Sequence, residues 1–210
     1  MEKAVLTVFG RHESEKVIEK SRFIAYSEHV ESEEEAKNFL SEIRSQHTLA
    51  THCCYAFIAD KTGNLMRFSD DGEPQGTAGM PILDVLKNKK LTETAVAVVR
   101  YFGGIKLGAG GLVRAYSSAA SENLTGADIR AVEMCREYEI RVDYSEADSA
   151  RKFISSGRCL PLSENYAEKV FFTVAVKKSD AESFQAEFID YMQGRGEIKP
   201  GREYYRAFGL

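Results

Sequence analysis

The chain has 210 residues and a formal net charge of -4, with 43% hydrophobic and 29% charged residues. That balance belongs to soluble globular proteins and excludes wholesale disorder, while the negative total excludes a protein that coats nucleic acid by charge alone. The length exceeds the commonest size of one domain, so two modest domains are expected.

Residues 14 to 30 read as extended. Ser32 and Glu35 then have the spacing of a capping box, in which each side chain satisfies a backbone donor of the other, and Ala36, Phe39, Leu40 and Ile43 recur at helical spacing. Cys53 to Ala59 and Leu65 to Ser69 read as strands joined by a turn-rich connection. Pro81 fits the first turn of a helix carrying Ile82, Leu83, Val85 and Leu86. Ala95 to Phe102 is apolar on both faces, the pattern of a central strand covered on each side, and Leu112 to Leu124 is helical by pattern and closed by Gly126. A first domain over residues 1–130 is expected.

Residues 131–210 read βαββαβ. The first strand covers Val132 to Tyr144, and the first helix is opened by Ser145 and stopped by Gly157. Strands follow at Cys159 to Tyr166 and Val170 to Val176. A second capping box at Ser179 and Glu182 starts a helix that ends at Gly194, and a last strand runs from about Gly196 to Tyr205. The expected class is α+β, with a second domain in the order of a ferredoxin-like sandwich.

Four cysteines, Cys53, Cys54, Cys135 and Cys159, form neither a CxxC pair nor a disulfide-dense pattern, so reduced, mostly buried thiols are expected. Residues 1 to 11 lack the apolar stretch of a signal peptide, and no run approaches the roughly 20 apolar residues of a membrane span. A cytoplasmic protein with no membrane partner is expected.

Function concentrates in two glycine-rich stretches, SDDGEPQGTAG from Ser69 to Gly79 and RYFGGIKLGAGG from Arg100 to Gly111. Each runs into a helix, where a bared backbone offers unpaired N–H groups to an anion. The surroundings are mildly basic: residues 61 to 114 hold eight Lys or Arg against five Asp or Glu, net +3, whereas residues 2 to 42 hold six against ten, net -4. In the second stretch Lys106, with Arg100 and Arg114 flanking it, supplies full charges. The competing view is that these glycines serve tight helix–strand packing and bind nothing. Neither nucleotide fingerprint is present, since Gly103 onward does not spell GxxxxGK[ST] and Gly108 onward fails GxGxxG.

In the first stretch Asp70, Asp71 and Glu73 are hard oxygen ligands whose spacing suits Mg²⁺ beside a phosphate. The alternative is that Asp-Asp-Gly is an ordinary turn and Thr77 caps the following helix. A nucleophilic His52-Cys53-Cys54 site is disfavoured because adjacent strand residues point to opposite faces. Zinc lacks spaced ligands, and no GxSxG elbow is present.

The two motifs, extended by LVRAY over residues 112 to 116, resemble the signature of the IMPACT family, including its bacterial YigZ-like members. The strict resemblance covers about residues 20 to 127, and the two-domain layout is similar over nearly the whole chain. It implies a first domain like ribosomal protein S5 domain 2 and a second like the C-terminal region of elongation factor G. It also implies a link to translation: eukaryotic relatives restrain a starvation-responsive translation-initiation kinase, and bacterial ones suit a nucleic-acid or ribosome-linked role. The positions carried over are Asp70, Asp71, Gly72, Glu73, Gly76, Thr77, Gly79, Arg100, Gly103, Gly104, Lys106, Gly108, Gly110, Gly111 and Arg114. Gln75 stands where a small Ser is usual and Met80 where a basic residue is usual.

The leading expectation is a non-catalytic module that docks RNA phosphates or a ribosome-associated partner and needs no cofactor. A Mg²⁺-dependent, phosphate-handling enzyme is the first alternative. A protein–protein regulator of a stress-response pathway, with its interface on the second domain, is the other.

Overall fold

The computed structural model describes residues 5–208, excepting the side chains of residues 207 and 208. The chain divides between Ala131 and Val132 into two units, each with its own core.

The first unit contains β1 (Val5–Val8), β2 (His12–Ile18), β3 (Ser21–His29), α1 (Glu33–Gln46), β4 (His52–Ile58), β5 (Met66–Ser69), α2 (Gly79–Asn88), β6 (Thr94–Tyr101) and α3 (Gly108–Gly126). Strands β2-β3-β6-β4-β5 form an antiparallel sheet with β6 at its centre. The period-2 geometry of a strand sends alternate residues to opposite faces. Phe23, Ala25, Cys54, Ala56, Val96 and Val98 therefore pack with α2 and α3, while Ile24, Tyr26, Cys53, Phe57, Ala97 and Val99 pack with α1. Covering on both sides is why β6 reads as one unbroken apolar run. The Ser32 capping box forms, although Glu35 reaches past Ser32 to accept from the Glu31 N–H at 2.8 Å.

Two boundaries differ from the sequence expectation. Residues 14 to 30 are two strands joined by a two-residue hairpin, Glu19 and Lys20, both at positive φ (46° and 64°). Such a turn normally announces itself by Asn or Gly, and neither is present. Helix α3 starts at Gly108 rather than Leu112, because glycine is poorly helix-forming but the first turn tolerates it.

The second unit is built on β7 (Ile129–Val142), whose first residues belong to the first unit. It continues with α4 (Ala147–Ile154), β8 (Leu160–Tyr166), β9 (Val170–Lys177), α5 (Ala181–Tyr191) and β10 (Glu197–Phe208). Within this unit the sheet runs β7-β9-β8, with β10 also paired to β7. Tyr138, Ile140 and Val142 of β7 and Phe172, Val174 and Val176 of β9 form a core with Phe153 of α4 and Phe184 and Phe188 of α5. The capping box expected at Ser179 and Glu182 does not form: Ser179 lies in a 3-10 turn, and its hydroxyl donates to Asp180 Oδ1 at 2.8 Å. The mixed α and β content of two units matches the α+β expectation.

Candidate functional site

The glycine stretches lie at the starts of α2 and α3, both packed on the same sheet face. They are built differently. At α2 the chain supplies its own anion. The Asp70 carboxylate accepts hydrogen bonds from the N–H groups of Gly76 (2.8 Å), Ala78 (3.0 Å) and Gly79 (2.8 Å). Partial burial pushes the Asp70 carboxyl upward, but these three donors together outweigh it and hold the group below the ordinary carboxylate range. Thr77 does not cap the helix; its hydroxyl donates to the Pro74 carbonyl at 2.6 Å.

Asp71 ties the loop to β4 and α1, accepting from the Cys53 N–H at 2.7 Å and from Arg44 at 3.0 Å. The Asp71 carbonyl can only accept, so His52 Nδ1, 2.8 Å away, carries the proton. Glu73 turns inward, where Oε1 accepts from Arg100 Nη1 and from the Tyr116 hydroxyl, each at 2.7 Å. Arg100 is only 5% exposed, with its guanidinium over the rings of Phe23 and Phe102.

This arrangement corrects two expectations. Arg100 is not a cation at the mouth of the site but the buried partner of Glu73, since an ionised group taken out of water requires a counter-charge. Asp70, Asp71 and Glu73 each serve a different set of internal partners. Among the described residues no group of three or more His, Cys, Asp or Glu is placed to hold a metal ion. Cys53 and Cys54 are buried, and burial raises both thiols above the ordinary range, the opposite of an activated nucleophile.

The start of α3 is open. The Phe102 N–H donates to Thr51 Oγ1 and the Gly103 N–H to Ser21 Oγ, both at 3.1 Å. Gly103 is a packing glycine: a Cβ there would lie 2.0 Å from the Lys20 carbonyl carbon. From the next residue the character changes. The N–H groups of Gly104, Ile105, Lys106 and Leu107 find no acceptor among the described residues, and the first N–H groups of α3 follow them without an intrahelical partner. Among the described residues no side chain caps this helix, and its first turn holds no acidic residue to offset the partial positive charge there. Gly104 and Gly108 sit at φ +86° and +67°. Gly110 has neither constraint: a Cβ would meet nothing closer than Arg114 Nη1 at 3.7 Å. Lys106 and Arg114 are exposed and form no ion pair with a described residue.

The structure thus separates the sequence candidates. Gly104, Lys106, Gly108, Gly110, Gly111 and Arg114 gather at the α3 start, whereas Asp70, Asp71, Gly72, Glu73, Gly76, Thr77, Gly79, Arg100 and Gly103 build the scaffold behind it. Ser21, Thr51 and Tyr116, which hold that scaffold, were missed; their partners lie 43 to 82 residues away in the chain. An arginine in an otherwise apolar central strand was the one signal pointing to a buried carboxylate.

Comparison with known proteins gives a consistent picture. Residues 19–124 match the model of the Impact N-terminal domain, and residues 140–195 match a domain of unknown function, DUF1949. The chain is 38% identical to the IMPACT family member YvyE of Bacillus subtilis over 95% of its own length and 92% of that protein's. It is 34% identical to the IMPACT family member YigZ of Escherichia coli, covering 84% and 88% of the two chains. A solved structure described as that of a hypothetical protein matches with a TM-score of 0.62 at 30% identity, covering 94% of this chain and 97% of that one.

Proposed function

Because the chain belongs to the IMPACT family, we propose that it is a non-catalytic, translation-linked binding protein that docks RNA phosphates at the start of α3. The observation that carries this is the row of four amides, Gly104 to Leu107, that find no acceptor among the described residues, with the side chain of Lys106 within it and that of Arg114 beyond it, neither in an ion pair with a described residue. Backbone N–H groups at a helix start select negative oxygen atoms, and full charges beside them attract a polyanion from a distance. Exposed Phe102, at 47%, offers a ring on which an unpaired base can stack.

The architecture supports a translation link. The first unit suits a ribosomal protein S5 domain 2-like fold. In the second, the order β10-β7-β9-β8, fourth-first-third-second in chain order, supports the reading of a ferredoxin-like domain resembling the C-terminal region of elongation factor G. Cytoplasmic residence follows from this role; among the described residues no helix is long and apolar enough to cross a membrane. The phosphotransfer alternative loses support because the carboxylates that would hold Mg²⁺ are committed elsewhere.

A filter-binding titration with tRNA and an rRNA fragment tests the proposal. Affinity should fall as salt rises, and Lys106→Ala and Arg114→Ala should each weaken binding and reduce the salt slope by about 1. Absence of binding, or a slope unchanged by both substitutions, refutes it.

A further inference from the structure

The second unit contains a cavity of about 300 Å³ walled by three chain segments: the end of β7 with the turn that follows, the β8–β9 connection, and the turn between α5 and β10. Three cations line it, Arg141, Lys169 and Arg195, together with three carboxylates, Asp143, Glu146 and Glu197. Two of the cations are neutralised within the wall: Lys169 Nζ lies 2.9 Å from Asp143 Oδ1, and Arg195 Nη1 lies 3.2 Å from Glu146 Oε1. The remaining cation and the remaining carboxylate are not paired with each other.

Arg141 lies between Ile140 and Val142, which point into the core, so strand alternation turns it to the other face of the sheet. There its guanidinium sits beside Phe171, its register partner on β9, 5.7 Å from the ring centroid. It has no carboxylate partner among the described residues, and its Nε is shut off from solvent without an acceptor. A ligand therefore reaches this side chain only through its two terminal nitrogens, which have no hydrogen-bond partner among the described residues. A planar carboxylate is the natural complement of a guanidinium fork. Glu197 is the mirror case. Its nearest cation, Lys199, is 3.8 Å away, and both side chains are more than half exposed, a pair too solvated to occupy the carboxylate.

We propose that this cavity binds a small zwitterion of amino-acid size, its carboxylate on Arg141 and its ammonium toward Glu197. Arg141 and Glu197 each lack a firm partner and line one cavity whose charges otherwise cancel. A simple oxyanion satisfies the first and is repelled by the second. The volume is at the lower end of small-ligand pockets, which suits a free amino acid better than a nucleotide. Gly196 keeps the rim tight against the core, since a Cβ there would meet Val142 Cγ1 at 3.0 Å, while Gly194 leaves open space beside it.

The test uses the full chain, by thermal shift and then calorimetry, with glycine, alanine, glutamate and lysine as probes and acetate, inorganic phosphate and methylammonium as controls, each at about 10 mM, because a ligand that binds only the folded state raises the melting temperature. At least one amino acid should bind where the controls do not. Glu197→Gln, an exposed change that leaves the core untouched, and Arg141→Lys, which keeps the charge and loses the fork, should each weaken that binding about tenfold or more. Lys106→Ala should leave it unchanged, which separates this site from the one at α3. Silence from every amino acid, controls binding as well as the amino acids, or binding indifferent to both cavity substitutions overturns the proposal.

Discussion

Gly110→Ala separates a helix start kept bare for a ligand from one kept bare for packing. The new methyl group would have no neighbour nearer than 3.7 Å, and Gly110 lies in the first turn of α3 at an ordinary negative φ. Alanine is the better helix former, so the substitution should stabilise the first unit by about 0.5–1 kcal/mol, a rise of roughly 1–4 °C in its melting temperature. The same Cβ tilts toward the helix N-terminus, into the space in front of the free amides. Losing one charge-assisted hydrogen bond to a phosphate, about 1.5–3 kcal/mol, should weaken RNA binding tenfold or more. Calorimetric melting and filter binding on the same preparation read both effects, which should have opposite signs. Stability gained with RNA affinity intact would refute the assignment of this surface. Gly103→Ala is the counter-case, because its Cβ would overlap the Lys20 backbone at 2.0 Å; a loss of about 3 kcal/mol is expected, visible in a denaturant titration.

Other expectations follow from the buried polar groups. Asp70→Ala removes the acceptor of three N–H groups and should cost about 1–2 kcal/mol at neutral pH by urea titration. Since the folded state holds Asp70 below its unfolded value, the wild-type stabilisation is present above the ordinary carboxylate range and disappears as pH falls through the folded value; the variant should lack this acid-side loss. Glu93 behaves oppositely. It is 3% exposed, its Oε2 has no hydrogen-bond partner among the described residues, and burial raises its carboxyl, with Lys61 partly opposing. Stability should therefore decline as pH rises from the unfolded value through the raised one, and Glu93→Gln should flatten that slope in melting curves recorded between acid and neutral pH. Tyr116→Phe deletes one hydrogen bond to Glu73 and leaves the Arg100 pair in place; a loss of about 1 kcal/mol is expected by chemical denaturation, and a value near zero would show that the phenol contributes packing alone.

Local rules made much of the fold legible. An apolar run on both faces marked β6 as central, and Ser32 with Glu35 marked the start of α1, because both signals depend on neighbours in the chain. The same rules failed where a contact made by folding decided the outcome. The Glu19-Lys20 hairpin has no turn-forming residue to announce it, and Ser179 spends its hydroxyl on Asp180 instead of a helix start. At the site, glycine density located the two helix starts correctly but could not distinguish them. Asp70 fills one, and no described residue fills the other. Arg100 looked like an arm for phosphate because its counter-charge, Glu73, arrives from a loop 27 residues away.

Asp70 also gives the molecule a built-in reference. A carboxylate held by three amides at 2.8 to 3.0 Å is a worked example, within one polypeptide, of the occupant that the neighbouring helix lacks. Exchanging Asp70 for glycine would vacate that seat, and a chain so altered should acquire a second affinity for free phosphate or sulfate beside the first. Side-by-side titration of the two forms would then measure what tethering an anion to its own receptor is worth.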